Sequence, residues 1–303
     1  MKRLIYFLLL TVFIKVEAQS SALTIADSLY ATGNFNKAIN YYAKEGSETA
    51  GLQIARAYRS IGNNTKAILQ YENLIANAPE FLIARFELGK LYLKTKRFDD
   101  GRKLFTTLVG VSPENPEYAY NLAECFRALE QPASSLTFYK KAVAADSTHL
   151  KSLFQLGKYF VLKGETNQAL EYLTMGLEYY PDDVAFINLK GLAFFNNDAY
   201  EKALPLFERL IELGEKKEFV YTKLAFCYKI NNDIEKAAQL YGEIVQNKRS
   251  RPITWYYYGE TLMSQGKYAD AKIWLQKYSA KKPKDTKCTA LIESIDNLQN
   301  ITP

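Results

Sequence analysis

The chain has 303 residues, a formal net charge of +6, a single histidine and three cysteines. One histidine excludes a multi-histidine metal centre, and so small a basic excess excludes the dense Lys/Arg stripes that a phosphate backbone requires. The odd cysteine count allows at most one disulfide.

Residues 1–18 read as a secretory signal peptide. Lys2 and Arg3 precede an apolar run from Leu4 to Ile14, Lys15 closes that run early, and Val16-Glu17-Ala18 stands where a signal peptidase reads. A run this short does not span a bilayer comfortably, so cleavage after Ala18 is expected, with no membrane span afterwards and a periplasmic or secreted mature protein. No cysteine follows the cleavage site, which argues against lipid attachment there. Loss of Lys2, Arg3, Lys15 and Glu17 lowers the net charge by two.

From residue 19 to 285 the chain repeats itself. Ala55, Gly89, Ala123, Gly157, Gly191, Ala225 and Gly259 are small residues spaced 34 apart. A second small residue follows each of them twelve positions later, at Ala67, Gly101, Ser135, Ala169, Ala203, Ala237 and Ala271. Apolar residues keep the same period, among them Tyr92, Phe126 and Phe160 three after the first small residue, and Tyr71, Phe105 and Tyr139 four after the second. Between the halves lie breaks such as Ile61 to Asn64, Leu162 to Glu165 and Ser264 to Lys267, where glycine or asparagine can take the left-handed conformation that ends a helix. Each unit is therefore a helix, a tight turn and a second helix. A lone pair cannot bury both its apolar stripes, so the units must stack.

The small residues then mark where the two helices of a pair cross, and close packing there offsets the roughly 1 kcal/mol that glycine costs inside a helix. The units fall near 19–47, 48–81, 82–115, 116–149, 150–183, 184–217, 218–251 and 252–285. The first departs from the rest, since Ala26 precedes Ala55 by only 29 residues and the link at Glu45-Gly46-Ser47 is shortened. Residues 286–303 form a capping helix and tail, with Cys288, Leu291, Ile292, Ile295 and Leu298 on one face and Lys287, Glu293, Ser294 and Asn297 on the other. Cys125 and Cys227 occupy one position in helices three repeats apart, much farther than the roughly 7 Å that a disulfide spans. All three cysteines are read as small buried apolar residues.

The pattern resembles the tetratricopeptide repeat family, most closely in the unit from Pro252 to Pro283, where Trp255, Gly259, Gly266, Tyr268, Ala271 and Pro283 match while Tyr258 and Leu262 depart from it. The resemblance implies an all-α protein, a right-handed α-solenoid of about eight repeats. It implies a concave face lined by the first helix of each pair, three positions before the first small residue and one, four and five after it. Those columns supply Arg56, Arg59, Phe86, Lys90, Lys94, Tyr120, Arg127, Phe154, Lys158, Phe195, Phe226 and Tyr256 as peptide-binding residues. Aromatics and cations interleave through the second to fifth units, and the sixth and seventh are apolar. One subclass of the family clamps a C-terminal carboxylate with paired Lys and Asn, but here the corresponding pairs are Phe86 with Lys90 and Phe154 with Lys158.

Little else in the chain points to chemistry. His149 stands in a link and reads as a solvated residue, and the pairs Asp99-Asp100 and Asp182-Asp183 sit where carboxylates cap helix starts. No phosphate-cradling GxxxxGKT run is present. The expectation is a non-enzymatic scaffold or adaptor of the bacterial cell envelope, without cofactor or metal, that binds a protein or peptide segment mixing acidic and apolar residues. The alternatives are an assembly subunit that uses its convex or end surfaces, and a glycan-binding module that stacks sugars on its aromatics. The leader reading makes the mature protein begin at Gln19. N-terminal sequencing checks it, and an intact Met1 on membrane-bound protein contradicts it.

Overall fold

Each pair of small residues twelve apart falls on two successive helices joined by a turn of two or three residues. The computed structural model describes residues 22–247 and 249–301, all of whose regular elements are α-helices. The signal-peptide reading lies outside the described residues. In chain order the helices are α1 (22–31), α2 (Phe35–Glu45), α3 (Glu48–Ser60), α4 (Asn64–Asn77), α5 (Leu82–Lys94), α6 (Phe98–Val111), α7 (Pro116–Ala128), α8 (Pro132–Ala145) and α9 (Leu150–Lys163). They continue as α10 (Thr166–Tyr179), α11 (Val184–Asn196), α12 (Tyr200–Glu212), α13 (Glu218–Ile230), α14 (Ile234–Val245), α15 (Pro252–Ser264), α16 (Tyr268–Ser279) and α17 (Thr286–Ile301). The all-α helical repeat expected from the periodicity is what these residues form. The chain divides into two compact units, one ending at Ser152 and one starting at Leu153.

In the first unit, antiparallel pairs from α1/α2 to α7/α8 stack so that each helix packs on its chain neighbours. The crossing argument holds at atomic distances: a Cβ placed on Gly89 of α5 would lie 2.7 Å from the Phe105 ring on α6. Phe105 and Tyr71 are fully buried, so the apolar residue sixteen positions after the first small residue fills the crossing. In the second unit, a Cβ on Gly157 of α9 would sit 2.5 Å from Leu173 on α10. Successive pairs are held as closely there, because a Cβ on Gly176 of α10 would meet the Phe186 ring of α11 at 2.1 Å.

The turns show a regularity that residue type only half reveals. Gly62, Lys96, Glu130, Gly164, Asp198, Asn232 and Gly266 all have φ between 57° and 77°, again 34 apart. Four of them carry side chains, although a left-handed L-residue costs roughly 1 to 2 kcal/mol. Helix termination compels the conformation: with Lys96 left-handed, the Arg97 N–H reaches back to the Tyr92 carbonyl at 2.8 Å, and after Glu130 the Gln131 N–H reaches the Phe126 carbonyl at 2.9 Å. Caps at the other ends match their residue types, as where Asp183 accepts from the Ala185 and Phe186 N–H groups at 2.9 and 3.1 Å.

Cys125, Cys227 and Cys288 are buried free thiols, and burial pushes the first two up to about 12. At the C-terminal end, Cys288, Leu291, Ile292 and Ile295 of α17 close the core formed by Trp255, Leu262, Leu275 and Tyr278, and Lys272 bonds Asp296 across the same joint.

Two substitutions test crossing and turn. Gly157→Leu is expected to lower the unfolding free energy by about 1 to 3 kcal/mol or more through overpacking. Glu130→Gly is expected to raise it by about 0.5 to 1 kcal/mol by relieving the left-handed strain. Urea denaturation of the full chain measures both; a destabilising Glu130→Gly would contradict the left-handed turn.

Candidate functional site

In the first unit the face formed by the first helices is organised around carboxylates. Glu87 of α5 has a side chain only 14% exposed. It accepts from Arg56 Nε on α3 at 2.9 Å, from Arg59 Nη1 at 3.4 Å and from the Tyr71 hydroxyl on α4 at 2.7 Å, with a further Arg56 Nη2 bond. Burial alone would raise the Glu87 carboxyl. The bonds from Arg56 and Tyr71 and the two guanidinium charges more than reverse this and hold it below its ordinary value. A similar cluster lies farther along, where Glu124 of α7 accepts from Arg127 Nη2 at 2.6 Å and from the Tyr139 hydroxyl of α8. Tyr42 bonds Asp27 at the equivalent place in the first pair, at 2.6 Å. Arg56 and Arg59 thus share one carboxylate, which offsets one of their two charges, and Arg127 has its own.

Lys90 and Lys94 of α5 differ. Both are exposed, and neither has an ion pair among the described residues. Lys90 Nζ stands 5.3 Å from the Phe86 ring centroid. Phe86 itself is half-buried against Phe105 and Tyr118, at 6.1 and 5.3 Å between ring centroids. Lys90, Leu93, Phe98, Tyr120, Glu124 and Arg127 line a cavity of about 470 Å³, together with Asn121 and Ala128. Three residues expected from the sequence, Lys90, Tyr120 and Arg127, therefore share one concavity.

Tyr120 rests on His149 with ring centroids 5.4 Å apart. The expectation of a solvated histidine is corrected here, since His149 is buried. The Ser152 backbone N–H donates to its Nδ1 at 3.3 Å, and Nε2 faces Glu117 Oε1 at 3.5 Å. Glu117 also receives Lys151 Nζ at 2.6 Å. Ser152 Oγ lies 2.8 Å from Nδ1, so serine, histidine and a carboxylate do come together. With Ser152 wholly buried, the hydroxyl cannot reach a substrate, and the cluster staples the chain between α8 and α9. Among the described residues no group of three or more His, Cys, Asp or Glu could hold a metal ion.

The second unit presents aromatics instead. Phe154 packs against Phe186 at 5.6 Å, and Lys158 is exposed. Phe195 of α11, Tyr200 of α12 and Phe226 of α13 form a closed triangle with centroid distances of 5.1, 5.4 and 5.3 Å. Phe226 continues to Tyr257 at 5.9 Å and Tyr257 to Tyr256 at 5.7 Å. The Tyr256 hydroxyl donates to Glu260 at 2.9 Å, and Lys229 Nζ reaches the same carboxylate at 3.0 Å. The expected residues Phe195, Phe226 and Tyr256 thus belong to one aromatic row.

The sequence reading missed a column, two positions before the first small residue, which carries Glu87, Lys223 and Tyr257. At about 100° per residue this position lies roughly 20° from the column five after the small residue, so a helical projection would have included it. Its clearest test is Glu87. The folded carboxyl lies below its ordinary value, so its stabilisation is present above the ordinary carboxylate range and is lost as pH falls through the lower folded value. Glu87→Gln is expected to cost about 1 to 3 kcal/mol at neutral pH. The gap from the parent protein should close on acidification, as urea midpoints at a series of pH values would show; a gap independent of pH would contradict the ionised cluster.

Comparison with known proteins agrees with this geometry. A family model described as tetratricopeptide repeat matches residues 52–104, 89–149 and 154–217, and a second with the same description matches residues 230–295. The chain is 22% identical over 252 residues to anaphase-promoting complex subunit 6 of Arabidopsis thaliana, covering 80% of this chain and 46% of that protein. It is 21% identical over 250 residues to anaphase-promoting complex subunit CDC16 of Saccharomyces cerevisiae, covering 80% and 30%. It spans less than half the length of these relatives. A tetratricopeptide repeat protein from Parabacteroides merdae has a similar structure, with a TM-score of 0.55 at 13% identity over 82% of this chain and 98% of that one. YrrB, described as a TPR protein with an unusual peptide-binding site, gives 0.56 at 18% identity over 61% and 96%. At these identities the structural likeness is one of fold. The matched repeats cover more than half of the residues, and the chain belongs to the tetratricopeptide repeat family.

Proposed function

We propose that the protein is a non-enzymatic scaffold of the bacterial cell envelope that holds a segment of another protein against its first helices. The observation that carries this reading is the cavity in the first unit, where Tyr120, Phe98 and Leu93 offer apolar surface beside Lys90. A partner segment brings apolar side chains for affinity and an acidic residue for Lys90, since the arginines nearby already have carboxylates. Relatives named as subunits of a multiprotein complex, and a fold neighbour named for peptide binding, support the same reading. Export would place that partner in the periplasm or outside the cell.

The test is affinity capture from envelope extract with the parent protein and with a Lys90→Glu, Lys94→Glu variant, both side chains being exposed and outside the core. The parent is expected to retain a partner that the variant loses at least about tenfold, and that raised salt weakens, because exposed charges are screened over roughly 8 to 10 Å. Equal capture by both proteins would remove the face of the first unit as the binding site and favour assembly through other surfaces.

A further inference from the structure

The second unit contains a cation that the fold leaves without a counter-charge. Four half-buried cations stand in the face columns: Arg56 and Arg59 share Glu87, Lys229 has Glu260 at 3.0 Å, and the fourth is Lys223. No carboxylate among the described residues pairs with Lys223 and no hydrogen bond uses its ammonium. Its Nζ instead lies 3.6 Å from the centroid of Phe195, one corner of the Phe195, Tyr200 and Phe226 triangle. Of the polar groups around that triangle, the Tyr200 hydroxyl is committed to Asp198 at 2.5 Å. Thr222 beside it on α13 gives its hydroxyl to the Glu218 carbonyl at 2.8 Å.

We infer that Lys223 and the aromatic triangle form a socket for a carboxylate flanked by an apolar or aromatic side chain on the partner segment, so that Lys223 sets the specificity of the second unit. The inference rests on the scaffold reading above and gives it a second, separate site. Lys223 is half-buried and its ammonium has no counter-charge from the fold, so an arriving carboxylate would make a charge-assisted bond at a place already partly shielded from water. The aromatic faces supply apolar area next to it, with a rigid shape and little side-chain entropy to lose. Burial, together with the nearby Arg251 charge, already holds the Lys223 amine below the ordinary lysine range, as expected of an ammonium without a counter-ion. Cys227, one turn along α13, is a buried thiol pushed up to about 12, so it supplies no anion at neutral pH.

The carboxylate can come from an acidic side chain or from a chain terminus, and three acetylated dipeptides separate these sources: glutamyl-phenylalanine amide, glutaminyl-phenylalanine with a free carboxyl end, and glutaminyl-phenylalanine amide. Each is titrated into the full chain to about 10 mM, which reaches the weak affinities expected of so small a probe, while NMR follows the lysine side-chain signals, Lys223 being assigned from its loss in Lys223→Met. One or both carboxylate probes are expected to shift the Lys223 signal, and the amide probe to leave it in place. Lys223→Met should weaken that binding at least about tenfold and Lys223→Arg should retain most of it. Lys229→Met, which removes a lysine already paired, should leave it unchanged. A Lys223 signal that no probe moves, equal binding of all three probes, or unchanged affinity in a folded Lys223→Met protein would overturn the socket. Capture by the first unit is read through Lys90 and Lys94, so the two proposals fail separately.

Discussion

Everything in this molecule hangs on the close crossing of two helices within each repeat. At Gly89 and Gly157 the backbone comes so near the opposing side chain that even one added carbon would fall within 2.7 Å of it. That approach turns the side chains of the first helices outward in fixed columns and drives the large residue of the second helix, Phe105 or Leu173, into the crossing. Because each pair contacts chiefly its neighbours, the same geometry recurs every 34 residues. The repeat thereby sets the direction of every side chain on the face of the first helices.

The fold was largely legible because its determinants are local and periodic. The small residues, the sixteen-residue step to the crossing partner and the capping helix at Thr286–Ile301 all follow from helical spacing. The turns were legible where glycine or asparagine marks them. At Lys96 and Glu130 the left-handed backbone is imposed by the ending of the helix, and residue type carries no sign of it.

The candidate site was legible as a set of positions and much less as a set of charges. Arg56, Arg59 and Arg127 look like free cations in the sequence, but their state depends on a carboxylate chosen at a neighbouring position, 31 residues on in the case of Arg56 and Glu87. The same step joins Lys229 to Glu260. Such pairings follow from the stacking of first helix on first helix, and the spacing shows them only once both columns are projected on one face. His149 escaped for a related reason: a residue in a link is read as solvated, yet this one is covered by the side chains of Tyr120, Ser152 and Glu117. Tyr71 and Tyr139 were read as packing alone, whereas their hydroxyls, like that of Tyr42, also fasten acids on the face.

The sharing of Glu87 by two guanidinium groups bears on how such a protein diverges. The carboxylate and both arginines belong to one stack of helices, and the carboxylate offsets one of the two positive charges. Duplicated genes carrying this arrangement start with latent positive charge already in place. A single codon change at position 87 would unmask it without adding a cation, so the electrostatic character of the face can change faster than its shape. The charge of this face can therefore be rewritten while the helices that present it stay as they are.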